Sequence, residues 1–98
     1  MQFDRRIAGT PDNDTLKGTG LREIIFGLGG NDTINGGAGN DCIVGGPGND
    51  VINGGSGNDR MVGDTGTDTI KGDSGTDRAY GGTGTDACDA ESESTCES

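Results

Sequence analysis

Residues 36–62 read GGAGNDCIV, GGPGNDVIN and GGSGNDRMV, three nonapeptides with glycine at positions 1, 2 and 4, asparagine at 5, aspartate at 6 and an apolar residue at 8. A fixed period this short restricts the chain to a stack in which every unit meets the next in the same way. The frame persists in both directions. Gly9, Gly18, Gly27, Gly36, Gly45, Gly54, Gly63, Gly72 and Gly81 open nine consecutive units over residues 9–89, without insertion or deletion. Position 6 is always acidic, as Asp14, Glu23, Asp32, Asp41, Asp50, Asp59, Asp68, Asp77 and Asp86. Position 8 carries Leu16, Ile25, Ile34, Ile43, Ile52, Met61, Ile70, Ala79 and Cys88, so each unit supplies one acid and one side chain for an interior.

Such a chain has little else to fold with. Only 27% of its 98 residues are hydrophobic and 3% aromatic, while 22 are glycines, which lose the most backbone entropy on ordering. Burial alone would leave it disordered. A net charge of −10 points to cations as the missing source of folding free energy and argues against nucleic acid as a partner. With no histidine, the usual zinc sites and histidine-based catalysis are absent. No apolar run approaches the roughly 18 residues that span a membrane, and MQFDRRIAGT lacks the apolar core of a secretory signal, so an export signal is expected elsewhere or already removed.

In chain order, residues 1–8 form a lead-in whose Phe3 and Ile7 could cover the first open coil. Unit two, GTGLREIIF, departs furthest from the pattern and ends in the most apolar run of the chain, as expected of a capping unit. Units three to six are the faithful centre. Units seven and eight carry Asp64 and Asp73 at position 2, and after Cys88 the frame gives way to an acidic Ser/Glu tail over 90–98. An oxidising compartment would let Cys88 and Cys96 pair across a short loop and cap the last coil, although sequence leaves the connectivity open.

Within a unit, six turn-forming residues precede three that resemble a very short strand, such as Val51, Ile52 and Asn53. Two units then make a flat coil of 18 residues, and stacked coils place strands about 4.8 Å apart with every position 8 side chain inside. The acids fall into two columns, Asp14, Asp32, Asp50, Asp68 and Asp86 on one edge and Glu23, Asp41, Asp59 and Asp77 on the other. Carboxylates stacked about 5 Å apart repel by roughly 3 kcal/mol per pair at an effective dielectric near 20. A hard divalent cation between turns reverses that sign, and calcium, which takes six to eight oxygens at flexible geometry, suits glycine-rich turns with exposed carbonyls better than magnesium.

These residues resemble the RTX, or haemolysin-type, calcium-binding repeat, GGxGxDxUx, over 81 of 98 residues. The resemblance implies an all-β, right-handed parallel β-roll solenoid, secreted, with two repeats per coil and calcium between stacked turns. It further implies sites built from the carbonyls of positions 2 and 4 and the Asp of one turn, with the carbonyls of positions 1 and 3 and the Asp of the turn 18 residues later. On one edge these are Leu28, Gly30 and Asp32 with Gly45, Pro47 and Asp50, then Gly46, Gly48 and Asp50 with Gly63, Thr65 and Asp68, then Asp64, Gly66 and Asp68 with Gly81, Thr83 and Asp86. On the other they are Gly37, Gly39 and Asp41 with Gly54, Ser56 and Asp59, then Gly55, Gly57 and Asp59 with Gly72, Ser74 and Asp77. Asp14 with Asp32 makes a less regular sixth, and Glu23 with Asp41 a seventh that departs further, giving about five to seven Ca2+ ions.

Other apparent motifs dissolve in the frame. Collagen needs glycine at every third residue, and position 7 is never glycine. The GDSG of residues 72–75 has no histidine to activate Ser74. The leading expectation is a non-catalytic calcium-binding β-roll that folds on binding calcium outside the cell, free-standing or as a module of a larger secreted protein. The alternative is a calcium-dependent polysaccharide-binding or cell-surface adhesion module, for which outward Thr33, Arg60, Thr69, Lys71 and Arg78 are suitable but offer no aromatic platform. The chain is expected to be monomeric, with Cys42 at an outward position 7 able to cross-link.

Overall fold

The structure, a computed structural model, describes residues 5–73, 75, 77–82 and 87–90, with Asp73 and 87–90 described through their backbone alone. Ten short strands follow the nine-residue period: β1 (Arg5–Ala8), β2 (Thr15–Lys17), β3 (Glu23–Phe26), β4 (Thr33–Asn35), β5 (Cys42–Val44), β6 (Val51–Asn53), β7 (Arg60–Val62), β8 (Thr69–Asp73), β9 (Arg78–Tyr80) and β10 (Ala87–Ala90). No helix is present among the described residues, so none is long and apolar enough to cross a membrane.

Successive strands alternate between two five-stranded sheets, sheet A in the order β1-β3-β5-β7-β9 and sheet B in the order β10-β8-β6-β4-β2. Every pairing is parallel and links residues 18 apart, as in Ile25↔Ile43, Ile43↔Met61 and Ile34↔Ile52, apart from one irregularity where Ala90 pairs with Asp73. The result is a parallel β-roll with two repeats per coil. A three-residue strand can turn only its middle side chain inward. Ile25, Ile34, Ile43, Ile52, Met61, Ile70 and Ala79 are accordingly all 0% exposed and fill the space between the sheets, with Ile7 and Leu16 packed against them at the N-terminal end.

β1 belongs to this architecture. Ile7 lies nine residues before Leu16 and pairs with Ile25, so the inward row extends one rung beyond the first glycine-led unit. The signal for it was present in the sequence as an apolar residue in frame, without the turn that precedes the others.

The turns stack as tightly as the strands. A methyl group at Gly45 would lie 2.7 Å from Asp50 Oδ2, so a side chain at position 1 would strike the acid of its own turn. At position 2 the backbone itself is the constraint: Gly37, Gly46 and Gly55 have φ of 81°, 86° and 83°. Leu28 and Asp64 take the same left-handed conformation at 68° and 74° despite their side chains.

Candidate metal centre

The position 6 acids point inward at the edges of the roll. Asp32, Asp41, Asp50, Asp59, Asp68, Asp77 and Glu23 are at most 2% exposed, a degree of burial that carboxylates tolerate only with partners. One oxygen of each described Asp from Asp32 onward has a partner in the adjacent coil. Asp50 Oδ1 accepts the Asp32 N–H at 2.8 Å, Asp68 Oδ1 that of Asp50 at 2.9 Å, and Asp59 Oδ1 that of Asp41 at 2.8 Å. Each acid thus ties its own coil to the one before it. The second oxygen has a different situation. In Asp32, Asp41, Asp50 and Asp59, Oδ2 is buried and meets no hydrogen-bond donor.

Carbonyls crowd the same gaps between coils. From the earlier coil, the position 2 carbonyl of Leu28 points at Gly46 and that of Gly37 at Gly55, while the position 4 carbonyls of Gly30, Gly39 and Gly48 point at Gly48, Gly57 and Gly66. From the later coil, the position 1 carbonyl of Gly45 points back at Gly27, that of Gly54 at Gly36, that of Gly63 at Gly45 and that of Gly81 at Gly63. Around Gly45, Asp50 Oδ2 and the Gly63 carbonyl oxygen lie 2.7 and 3.1 Å from where a methyl group would sit, so carboxylate and carbonyl oxygens share the gap between coils. Among the described residues no three acidic or cysteine side chains converge on one point, so a cation here would take most of its oxygens from the main chain. All-oxygen, carbonyl-rich and irregular, this donor set fits calcium.

The electrostatics agree. Burial pushes the carboxyl of Asp32 upward, that of Asp41 to about 6, that of Asp50 to about 7 and that of Asp59 to about 8. In each case the backbone N–H donated to the carboxylate pulls the other way, and stacked acids add to the rise: Asp14 for Asp32, Glu23 for Asp41, Asp68 and Asp32 for Asp50, and Asp41 and Asp77 for Asp59. Without a cation, ionisation of these groups is held back, most strongly at Asp59.

Of the residues that the resemblance names, the carbonyl oxygens of Leu28, Gly30, Gly37, Gly39, Gly45, Gly48, Gly54, Gly63 and Gly81 lie against glycines of the adjacent coil. Thr65 and Ser56, at position 3, and Pro47 are exposed at the turn surface. Ser74, Thr83 and Asp86 lie outside the described residues, as do the side chain of Cys88 and Cys96, on which the suggested disulfide depends. Cys42 is a free, half-buried thiol whose ionisation is held back by burial and eased by the nearby Arg60.

Two sets of residues escaped the reading of the sequence. Asn31 N–H donates to Asn13 Oδ1 at 2.7 Å, Asn49 N–H to Asn31 Oδ1, Thr67 N–H to Asn49 Oδ1 and Asn58 N–H to Asn40 Oδ1, each of the last three at 2.8 Å. This position 5 ladder runs opposite in direction to the acid ladder, so the two lock each turn from both sides. Its signal is the recurrence of asparagine at position 5, which turn propensity alone also accounts for. The second set is Thr10 and Thr19. Thr10 N–H donates to Asp14 Oδ2 at 2.6 Å and its hydroxyl to Asp14 Oδ1 at 3.1 Å, while Thr19 N–H and hydroxyl donate to Glu23 Oε1 and Oε2 at 2.6 and 3.0 Å.

A parallel roll with stacked acids facing carbonyl-lined gaps defines a calcium-binding solenoid. The family model for the RTX calcium-binding nonapeptide repeat, in four copies, matches residues 17–52 and again 53–88, and the chain belongs to that family. A search of curated proteins finds no match to it.

Proposed function

We propose that this RTX calcium-binding roll is non-catalytic, acts outside the cell, and folds as it takes up five to seven calcium ions, one in each gap between stacked turns. The observation that carries this reading is the set of buried Oδ2 atoms of Asp32, Asp41, Asp50 and Asp59, which have no hydrogen-bond partner and, at Asp32, Asp41 and Asp50, share the gap with a carbonyl oxygen of the next coil. Leaving a buried polar atom unsatisfied costs roughly 1–3 kcal/mol, and more for a charged group. Four of them offset much of the roughly 5–15 kcal/mol by which a small domain is stable. A bound cation turns the same atoms into ligands, so binding free energy becomes folding free energy. The low free calcium inside cells and its abundance outside would make folding follow export.

Native mass spectrometry in calcium, with circular dichroism across the titration, tests this directly. The expected result is a cooperative gain of β signal as five to seven ions bind. A spectrum already β-rich in chelator, or uptake of one or two ions, would overturn it.

A further inference from the structure

Position 9, just before each glycine-led turn, is loosely specified: other units carry Lys17, Phe26, Val44, Val62, Lys71 and Tyr80 there, so the fold does not require asparagine. The glycine that follows is required. A methyl group at Gly36 would lie 2.6 Å from the Gly54 carbonyl oxygen, and one at Gly54 would lie 2.7 Å from Asp59 Oδ2. Units three and five therefore join a replaceable asparagine to an obligatory glycine, as Asn35-Gly36 and Asn53-Gly54, and these are the two Asn-Gly steps of the chain.

Asparagine is a thermolabile residue, and it loses its side-chain amide most readily before glycine, whose nitrogen meets no neighbouring Cβ as it approaches the asparagine Cγ. The roll blocks each requirement of that reaction. The attacking nitrogen is engaged: the Gly36 N–H donates to the Asn53 carbonyl oxygen and the Gly54 N–H to that of Lys71, both at 2.8 Å. The backbone is held extended, since Asn35 and Asn53 are paired rungs of sheet B with Lys17 and Lys71 next in the stack. Attack on Cγ places negative charge on Oδ1, and Asn53 Oδ1 is buried with no hydrogen-bond partner to stabilise that charge. An open chain offers a free N–H, a mobile backbone and water in their place.

We propose that Asn35 and Asn53 are modification sites that the open chain exposes and the roll shields, an inference that rests on the calcium-dependent folding proposed above. In the open chain the Gly36 nitrogen loses its proton and bonds to Asn35 Cγ. The Cγ–Nδ2 bond breaks, and Nδ2 takes up the proton and leaves as ammonia. Water then opens the cyclic imide at either carbonyl, leaving aspartate or isoaspartate. Gly54 and Asn53 react in the same way. Isoaspartate adds a side-chain carbon to the main chain between positions 9 and 1. Pairing here links residues 18 apart, so the added atom throws the next turn out of register with the coils on either side. Time spent without calcium is thereby written into the chain as lost binding capacity.

The test incubates the full chain at pH 8 in calcium, in EDTA, and in calcium with enough urea to abolish the β signal, each sample followed by circular dichroism. Asn13, Asn31, Asn40, Asn49 and Asn58 precede aspartate and serve as internal controls. Peptide mapping and ammonia release are expected to show Asn35 and Asn53 converting at least about tenfold faster in EDTA and in urea than in calcium. Equal rates in calcium and urea, or conversion led by the control asparagines, would overturn the proposal. Asn35→Gln with Asn53→Gln should abolish the fast release of ammonia, and its persistence would count equally against it. Isoaspartyl chains returned to calcium are expected to bind fewer ions than fresh ones, and full binding would refute the loss of register. A chain that is β-rich and slow in EDTA yet fast in urea would sink calcium-dependent folding while upholding the shielding. A chain without β signal in calcium would sink both.

Discussion

In the first two units, Thr10 and Thr19 at position 2 donate to the acid of their own turn, so both oxygens of Asp14 and of Glu23 have protein partners. In units three to six, position 2 is Leu28, Gly37, Gly46 or Gly55, with a left-handed backbone and no donor for the acid, and Oδ2 of Asp32, Asp41, Asp50 and Asp59 stays unsatisfied. The same acidic position thus has its partners within the turn at the N-terminal end and, on the proposed function, takes a cation in the centre. Glycine at position 2 removes the competing hydroxyl and leaves the carboxylate oxygen without a protein donor. The N-terminal turns, whose acids already have protein donors, are suited to be the template on which the central coils stack.

Substitution of the acids should separate the two regions most strongly. Asp50→Asn keeps the acceptor for the Asp32 N–H but removes a charge shared by two gaps. It is expected to lose two ions by native mass spectrometry and raise the calcium midpoint at least about tenfold. Asp14→Asn, at a turn satisfied by Thr10, should shift the midpoint by less than about threefold.

Acidity offers the next test. The metal-free pKa values of about 6, 7 and 8 for Asp41, Asp50 and Asp59 lie above the ordinary carboxylate value near 4, so the closed roll binds more protons than the open chain. Without metal, its stability is therefore greatest below about pH 4 and is lost as pH rises through 6 to 8. Calcium needs the ionised groups, so its affinity should rise over that same window with release of protons, measurable by calorimetry in buffers of different ionisation enthalpy. A pH-independent affinity over that window would contradict the raised values of Asp41, Asp50 and Asp59.

Core truncation should follow the same gradient. Ile52→Ala, at a fully buried position, should cost about 2–5 kcal/mol in denaturant melts with calcium. Leu16→Ala, at a half-buried one, should cost less than about 2 kcal/mol. The smallest effect is expected from Leu28→Gly. Relief of the left-handed strain at φ 68° is worth about 1–2 kcal/mol and is largely offset by glycine entropy, leaving at most about 1 kcal/mol of stabilisation.

The coil of 18 residues, the inward row from Leu16 to Ala79 and the two acid columns were legible because they depend only on a period and on strand alternation. The turn glycines were legible as a pattern, but the reasons for them were not. Gly45 is required by an acid oxygen and Gly46 by its dihedral angle, and only coordinates separate the two. The asparagine ladder and the Thr10 and Thr19 contacts were hidden because they depend on which way a short polar side chain turns between coils. Ile7 was legible as a cover for the first open coil but not as a rung of the sheet, because its strand joins without the glycine-led turn that marks every other unit.

The claim on which the rest depends is that buried central carboxylates keep the roll from closing until calcium arrives. Small-angle scattering of the chain at pH 8 in EDTA, then in millimolar calcium, measures this directly. The account predicts an expanded chain near 30 Å in radius of gyration without metal, collapsing toward the 11.6 Å of the roll with it. A chain already compact in EDTA, melting cooperatively at that pH, would contradict it.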